Sequence, residues 1–273
     1  MGNGGRRPVT GPVLSRALRI FEAFGPRHTS LTLTDVARRS GLPLSTVHRL
    51  AGELVAWGAL ERDAAGCYRV GLRLWEVAAL APRGQGLRER ALPYLEDLSQ
   101  VTHENVQLAV REGNELVFVE RIAGSRAVPV HTRVGGRFAL SVTGVGLVLL
   151  AHAPREVQQE ILAAPVERFT PYTVTDPQVL LRMLADVRTN GFAVSDRQVT
   201  VDALSVAAPI RDPHGSVVAA VSLVVRYGSF SPHALSPLVR SSARAISRAL
   251  ADQSSGWRAS ASGSVPASSQ APR

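Results

Sequence analysis

Apolar residues near the start of the chain recur every three or four positions, which is the spacing of one helix face. The first run predicts a helix from Val13 to the breaker pair Gly25-Pro26. Its apolar stripe consists of Leu14, Leu18, Phe21 and Phe24. A second, shorter run predicts a helix that Thr32 or Thr34 caps and that Gly41 stops.

A third helix and a strand pair follow in quick succession. The helix begins near Pro43 and Ser45, runs to about Trp57 and is closed by Gly58. Two short strand patterns then flank the polar turn 63–66, with apolar positions at Leu60, Tyr68 and Val70. Three helices followed by a hairpin are the plan of a winged helix-turn-helix.

Beyond residue 71 helical spacing and strand-like alternation are mixed. A fourth helix runs from Leu72 to about Ala81, and PRGQG at 82–86 breaks it and marks a domain boundary. We expect further helices over 87–101, 154–163, 177–190 and 232–252, and strands over 106–110, 116–120, 205–210 and 217–225. The Ser/Ala/Pro-rich end predicts a disordered tail, and the Gly-rich start a mobile basic arm.

The third helix separates an apolar face from a polar one. Val47, Leu50 and Leu54 lie three and four residues apart and face inward. The outward side chains of its first two turns are Ser45, Thr46, His48 and Arg49. A recognition helix places such residues at the base edges of the major groove, where arginine pairs with guanine. We therefore predict a DNA-reading face, with an ordinary solvated helix face as the alternative.

Positive charge is concentrated in the same part of the chain. All 31 basic residues are arginines, and up to Arg83 there are 12 of them against 6 acidic residues. Arg62 and Arg69 flank the hairpin tip, from which they can reach the minor groove or the DNA backbone. Solvated hairpin arginines are the alternative. A basic N-terminal end suits a polyanion such as double-stranded DNA.

Several other classes of protein are disfavoured. Cys67 is the single cysteine, and the seven histidines lack metal-ligand spacing, so we predict no disulfide, metal or cofactor. The longest apolar run, 139–153, is interrupted by polar residues and falls short of the ~20 that span a bilayer. No apolar core follows Arg6 and Arg7 as in an export signal, so we expect a cytoplasmic protein without a membrane partner.

The sequence resembles a known family over nearly its whole length. Four segments resemble the N-terminal domain of IclR-type bacterial transcription regulators: LSRALRIFEAF, LTLTDVARRSGLPLSTVHRL, LVAWGALERD and YRVGLRLWEVA. Residues 191–212, GFAVSDRQVTVDALSVAAPIRD, are similar to that family's C-terminal signature. Gln198 and Arg211 depart from it, since an acidic residue is usual at the first position and an aromatic or histidine at the second.

The resemblance implies an α+β fold with a ligand-sensing role. A GAF-like effector-binding domain with an antiparallel sheet would hold a small organic acid. Carried over by position, the effector-binding residues are Gly144, Val145, Ser195, Ser205 and Ser222. Free N–H groups at a helix start near Gly144 suit a carboxylate. A serine that bonds its own backbone is the alternative at Ser205 and Ser222.

The predicted pocket departs from the family pattern in ways that bear on its ligand. Ser195 replaces the usual acid, Ser205 the cysteine, Leu147 a lysine and Val224 a serine. A more apolar wall around an anion-holding end predicts a larger, more hydrophobic acid than a two- or three-carbon one. The alternative is a pocket filled by Leu147 and Val224 that binds nothing.

These observations predict a ligand-responsive transcription regulator. Its parts are a disordered basic arm (1–12), a winged helix-turn-helix domain (13–71), a linker helix (72–86), a GAF-like effector-binding domain (87–253) and a disordered tail (254–273). We expect the apolar linker helix to pair in a homodimer or homotetramer. The alternatives are an enzyme with an accessory DNA-binding domain and a ligand-independent DNA-binding protein. No GxSxG elbow, P-loop or HExxH motif supports an enzyme.

Overall fold

The computed structural model describes residues 11–80, 82–130 and 132–260, with the side chains of 82–85 and 253–260 left aside. The chain forms two units, Met1–Gln85 and Gly86–Arg273. The elements up to residue 80 are α1 (Val13–Glu22), α2 (Leu33–Ser40), α3 (Leu44–Trp57), β1 (Leu60–Arg62), β2 (Tyr68–Val70) and α4 (Leu72–Ala78). Their order confirms the predicted winged helix-turn-helix.

Local signals set the boundaries of α2 and α3. The Thr32 hydroxyl accepts a hydrogen bond from the Asp35 N–H and caps α2. Gly41 ends α2 and Gly58 ends α3, each in the left-handed region (φ 69° and 87°) that glycine adopts at little cost. The sharp turn between the two helices follows from the first of these glycines.

The core of this unit forms where α3 meets the other elements. Val47 and Leu50 of α3 are buried against Ile20 of α1 and Tyr68 of β2. The Tyr68 N–H donates to the Leu31 carbonyl, and the Leu31 N–H donates back, so the wing is tied to the segment before α2. The hairpin pairs in antiparallel register over three residues of each strand.

α1 differs from its prediction in both end point and orientation. It ends at Glu22 rather than at Gly25-Pro26. Of the predicted apolar stripe, Leu14 and Leu18 are 70% and 54% exposed, while Ile20 is fully buried. The spacing of the stripe identified a helix, but packing within this unit buries a neighbouring face.

The helix predicted from Leu72 is present, but the break predicted at 82–86 is wrong. α4 ends at Ala78, and a new helix, α5 (Pro82–Thr102), runs straight through the predicted break at 82–86; Ala81 lies outside the described residues. Proline is tolerated in a first helical turn, where its missing N–H has no partner to lose. Burial of Leu87, Ala91 and Leu95 along α5 offsets the weak helix propensity of the two glycines.

The second unit is built on one antiparallel sheet. After α5 its elements are β3 (Asn105–Glu112), β4 (Glu115–Ala123), β5 (Arg137–Ala139), α6 (Gly144–Ala151), α7 (Arg155–Ala163), α8 (Pro177–Asn190), β6 (Ala193–Asp196), β7 (Ala203–Arg211), β8 (Val217–Arg226) and α9 (Pro232–Ser260). The strand order is β5-β4-β3-β8-β7-β6, with every neighbouring pair antiparallel. This confirms the predicted antiparallel sheet and adds β6, which was not predicted.

Helices cover both faces of the sheet. Along β8, Val221, Leu223 and Val225 pack with α5 and α9 on one face. Ala220, on the opposite face, packs with α6 and α8. Because strand side chains alternate between faces, Ser222 and Val224 point to the same side as Ala220. This second face carries the α6 start and the predicted effector site.

Disorder was predicted for both ends of the chain, and the structure describes only a part of each predicted segment. α9 continues to Ser260, seven residues into the predicted tail 254–273, so the prediction is wrong for 254–260. Each residue added to an existing helix gains one hydrogen bond, so a helix can extend past the residues whose pattern predicted it. Residues 261–273, and residues 1–10 of the predicted arm, lie outside the described residues. No helix among the described residues is long and apolar enough to cross a membrane.

Candidate DNA-reading face and effector pocket

The structure places the four predicted DNA-reading residues on the first two turns of α3. Ser45, His48 and Arg49 are exposed and Thr46 is half-buried. Val47, between them, is fully buried and anchors the helix. The polar residues therefore share a solvent-facing surface at the positive end of the helix, where the helix dipole favours a phosphate.

The arginines of this region are held by neighbours but remain exposed. Arg49 pairs with Glu53 one turn later, Nη1 to Oε1 at 2.7 Å. Arg62 lies over the Tyr68 ring, 5.5 Å from its centroid, and Arg69 lies 3.4 Å from an Asp63 carboxylate oxygen. Exposed ion pairs of this kind contribute little stability, so these guanidiniums can leave their partners for a phosphate or base.

The effector half of the site is centred on the start of α6. The Thr143 hydroxyl accepts from the Gly146 N–H and caps the helix. Within the described residues, no acceptor meets the N–H groups of Gly144 and Val145, the first two helical positions. Gly144 is required for space: a Cβ there would lie 2.6 Å from the Ser205 Oγ and 3.3 Å from the Ala207 Cβ.

A cavity of about 50 Å³ lies against this helix start. Its lining comprises Gln107, Val130, Thr132, Thr143, Gly144, Ser195, Gln198, Val199, Thr200, Ala203, Ser205 and Val224. Gly144, Ser195 and Ser205 are thus brought together as the resemblance implied. Val145 is packed in the core behind the helix, and Ser222 does not line the cavity.

The three serines have different surroundings. Ser195 and Ser205 are register partners on β6 and β7, and the Ser195 hydroxyl donates to the Val142 carbonyl at 2.7 Å. Ser222 is fully buried, and its Oγ has no hydrogen-bond partner among the described residues. A buried hydroxyl without a partner is costly.

Sequence reasoning missed several pocket residues. The Gln107 side-chain amide donates to the Thr132 hydroxyl at 2.6 Å, which joins β3 to the segment after β4. Gln107 interrupts the apolar alternation of a predicted strand, a signal that could have marked it. No local pattern marks Thr132, Val199 or Thr200, which lie in irregular segments.

The electrostatics of the pocket are set by the helix rather than by charged side chains. None of the described lining residues is charged. The nearest source of positive potential in the lining is the α6 N-terminus. In the described part of the chain, no group of three or more His, Cys, Asp or Glu could hold a metal ion. The pocket can therefore hold one carboxylate end beside a largely uncharged wall.

Comparison with known proteins identifies the family. The profile of the IclR helix-turn-helix domain matches residues 13–64, and the profile of the bacterial transcriptional regulator IclR C-terminal domain matches residues 80–248. The chain belongs to the IclR family of transcriptional regulators. It is thus a DNA-binding regulator rather than an enzyme, as the motifs predicted.

Characterised relatives carry regulator names. The HTH-type transcriptional regulator BhcR of Paracoccus denitrificans is 33% identical over 87% of both chains. The HTH-type transcriptional repressor AllR of Escherichia coli is 31% identical over 87% of this chain and 89% of its own. An IclR homolog from Microbacterium hydrocarbonoxydans, complexed with 4-hydroxybenzoate, is 39% identical with a TM-score of 0.84, over 88% of this chain and 99% of its own.

Proposed function

We propose that this IclR-family regulator binds operator DNA through α3 and the wing and responds to a small organic acid. DNA binding is assigned to residues 13–71, with Ser45, Thr46, His48 and Arg49 reading the major groove. Arg62 and Arg69 contact the adjacent groove or backbone. Effector binding is assigned to residues 87–253. Five of the six side chains are exposed and Thr46 is half-buried, all on one small domain, which supports the first assignment.

The observation that carries the effector assignment is the α6 start. The N–H groups of Gly144 and Val145 have no acceptor among the described residues, and Gly144 lines an uncharged cavity that Ser195 and Ser205 also border. Such a helix start binds a carboxylate without a basic side chain. Ser222 completes the proposed set, because its unpaired hydroxyl lies on the same sheet face as Val224 of the lining.

The remaining lining favours an acid with an apolar body. Val130, Val199 and Val224 supply apolar wall, and each buried methylene stabilises a complex by about 0.8 kcal/mol. Two or three buried methylenes therefore outweigh the loss of one neutral hydrogen bond between ligand and pocket, which costs about 1 kcal/mol. The Microbacterium homolog was solved with 4-hydroxybenzoate, an aromatic acid, which supports this class of ligand.

The test is a ligand screen on the full chain by calorimetry and thermal shift. We expect 4-hydroxybenzoate to bind and to change operator affinity, and glyoxylate and pyruvate to bind much more weakly. Gly144→Ala should weaken binding of 4-hydroxybenzoate, because the added Cβ occupies space at the helix start and displaces the Ser205 hydroxyl. Gly52→Ala, where an added Cβ meets nothing within 4 Å, is the matched control. Tight glyoxylate binding with no aromatic response would overturn the assignment.

We also propose that the regulator is a homodimer or homotetramer. α4 buries none of its residues within its own unit: Leu72 and Trp75 are 63% and 61% exposed, and Leu80, just beyond the end of α4, is 80% exposed. A helix with this much apolar surface is stabilised by pairing with a second copy. Two-fold pairing also matches the symmetry of a pseudo-palindromic operator.

A further inference from the structure

One wall of the effector cavity is an irregular segment, residues 197–202 between β6 and β7. Gln198, Val199 and Thr200 of this segment line the cavity. The cavity measures about 50 Å³, whereas pockets for small organic ligands typically hold roughly 300 Å³ or more. An aromatic acid therefore enters only when a wall moves. The lining has two irregular stretches among the described residues: the segment after β4, which carries Val130 and Thr132, and the segment 197–202.

Arg197, at the start of this segment, is held between two aromatic rings. Its guanidinium carbon lies 3.9 Å from the Tyr172 ring centroid and 3.8 Å from the Tyr227 ring centroid. Asp196 accepts from Nε at 2.9 Å and from Nη2 at 3.3 Å. The side chain is only 20% exposed. Arginine suits this position because its planar group stacks on aromatic faces while its edge bonds a carboxylate.

The stretches that carry the two tyrosines also form hydrogen bonds with the backbone of the segment 197–202. The hydroxyl of Thr170 donates to the Arg197 carbonyl at 2.6 Å, and that of Thr173 to the Gln198 carbonyl at 2.7 Å. Tyr172 lies between these two threonines in sequence. At the other end of the segment, the Tyr227 N–H donates to the Asp202 carbonyl at 2.8 Å. Each tyrosine that stacks on Arg197 thus belongs to a stretch that also bonds the wall.

The backbone of Arg197 indicates that its side chain, rather than its backbone geometry, accounts for an arginine at this position. Its φ is 53°, in the left-handed region that residues other than Gly and Asn rarely adopt. A turn selected for backbone geometry alone would favour glycine here. The ring and carboxylate contacts of the arginine side chain compensate for this conformation.

We propose that Arg197 is a positioning residue that latches the segment 197–202 over the effector pocket and thereby sets how long an effector stays bound. The inference rests on the proposed function. When the guanidinium leaves the two rings, Gln198, Val199 and Thr200 are released from one side and the pocket opens. When it returns, the wall closes over the ligand.

The test combines ligand kinetics with amide hydrogen exchange on the full chain. Arg197→Ala, Arg197→Gly and Arg197→Lys are compared with Arg182→Ala, an exposed arginine on α8. With 4-hydroxybenzoate as the probe, the Ala and Gly variants should dissociate about tenfold faster, with no fall in the association rate. Lysine keeps the charge but not the planar stack, so its rate should be intermediate. Arg182→Ala should match the parent.

Hydrogen exchange tests, even without a ligand, whether Arg197 restrains the segment 197–202. In the ligand-free protein, the amides of 198–202 should exchange faster in the Ala and Gly variants than in the parent, while the helices of the same unit exchange as before. Unchanged exchange in Arg197→Ala would overturn the latch. So would parental dissociation and exchange in Arg197→Gly, because the position would then serve backbone geometry. Failure of 4-hydroxybenzoate to bind the parent would count against the proposed ligand, and the exchange result would still stand for or against the latch.

Discussion

Arg49 on α3 has an intramolecular partner that competes with DNA. Its guanidinium bonds Glu53, and both side chains are more than half exposed. We expect Arg49→Ala to weaken operator binding by ~1–3 kcal/mol, the usual contribution of a bidentate arginine–guanine contact. Electrophoretic mobility shift or fluorescence anisotropy with operator DNA measures this change.

Glu53→Gln is the matched control for Arg49→Ala. It removes the competing carboxylate and leaves the arginine, so operator affinity should stay the same or rise slightly. If Glu53→Gln weakened binding as much as Arg49→Ala, the pair would be acting as a structural unit. The assignment of Arg49 as a base reader would then be wrong.

Glu104, immediately before β3, is a buried acid whose charged form the fold disfavours. It is 4% exposed, and its Oε2 has no hydrogen-bond partner among the described residues. Burial raises the pKa of the Glu104 carboxyl, and the nearby Arg126 and Arg226 oppose this rise only in part. The native state therefore holds this proton to higher pH than the unfolded chain does.

The sign of the pH effect follows from this difference. The contribution of Glu104 to stability is fully present below the pKa of the unfolded carboxyl and is lost as pH rises through the raised native pKa. Glu104→Gln, which stays neutral, should unfold at a higher urea concentration than the parent at pH 7. The difference between the two urea midpoints should become smaller towards pH 4. Glu115→Gln, at an exposed ion pair, is the control and should show no such gain. A parent more stable than Glu104→Gln at pH 7 would contradict the assignment.

At the scale of elements, the wing is expected to act through phosphate contacts rather than base reading. Arg62 and Arg69 lie on its two short strands, on either side of the tip. The slope of log K against log salt is negative, and each phosphate contact makes it steeper by roughly one. Removing both arginines should therefore make the slope shallower by about two. Discrimination between operator and mutated operator should stay nearly constant. Binding measured over a salt series tests this, with Arg137→Ala of β5 as the control.

The same wing experiment can fail in an informative way. If the double variant lost discrimination between sequences while its salt slope stayed constant, the two arginines would be base readers. The phosphate assignment would then be replaced by direct readout from the hairpin.

Helix boundaries show how packing alters a local prediction. Pro82, Gly84 and Gly86 favour a break, and yet α5 begins at Pro82 and continues through both glycines. The apolar face that follows, with Leu87, Ala91 and Leu95, packs on the sheet and outweighs the local preference. In contrast, Gly41 and Gly58 end their helices as predicted, because a left-handed residue there satisfies the last carbonyls without any tertiary contact.

At the scale of the whole molecule, assembly is expected to depend on α4. Trp75→Ser together with Leu80→Ser should shift the protein toward monomer in sedimentation velocity at micromolar concentration, because the paired apolar surface is lost. Operator affinity should fall with it, since one half-site is then bound at a time. Val101→Ser, at a residue of α5 that is 72% exposed, is the matched control. A parent that sediments as a monomer would rule out the proposed assembly.

The sequence by itself determined the helix-turn-helix, the wing, the division into two domains and the resemblance to the IclR family. These rest on local features: helical spacing around Val47 and Leu50, glycines at helix ends, and strand alternation over 106–110 and 217–225. A period of 3.6 or 2 reports which side of an element is buried, and neighbouring residues carry that information. The polar face of α3 could be predicted for the same reason.

Only the tertiary structure decided how the effector pocket is built. Its lining comes from four strands (β3, β6, β7 and β8), the segment after β4, the α6 start and the β6–β7 connection, which no local period relates to one another. Arg197 meets Tyr172 and Tyr227, 25 and 30 residues away in sequence. Likewise, the face of α1 that is buried depends on how α1 packs against α3: Ile20 is buried, while Leu14 and Leu18 of the predicted stripe are exposed. Contacts between distant segments are set by how the sheet and its helices pack, and the residue pattern of one segment does not contain its partners.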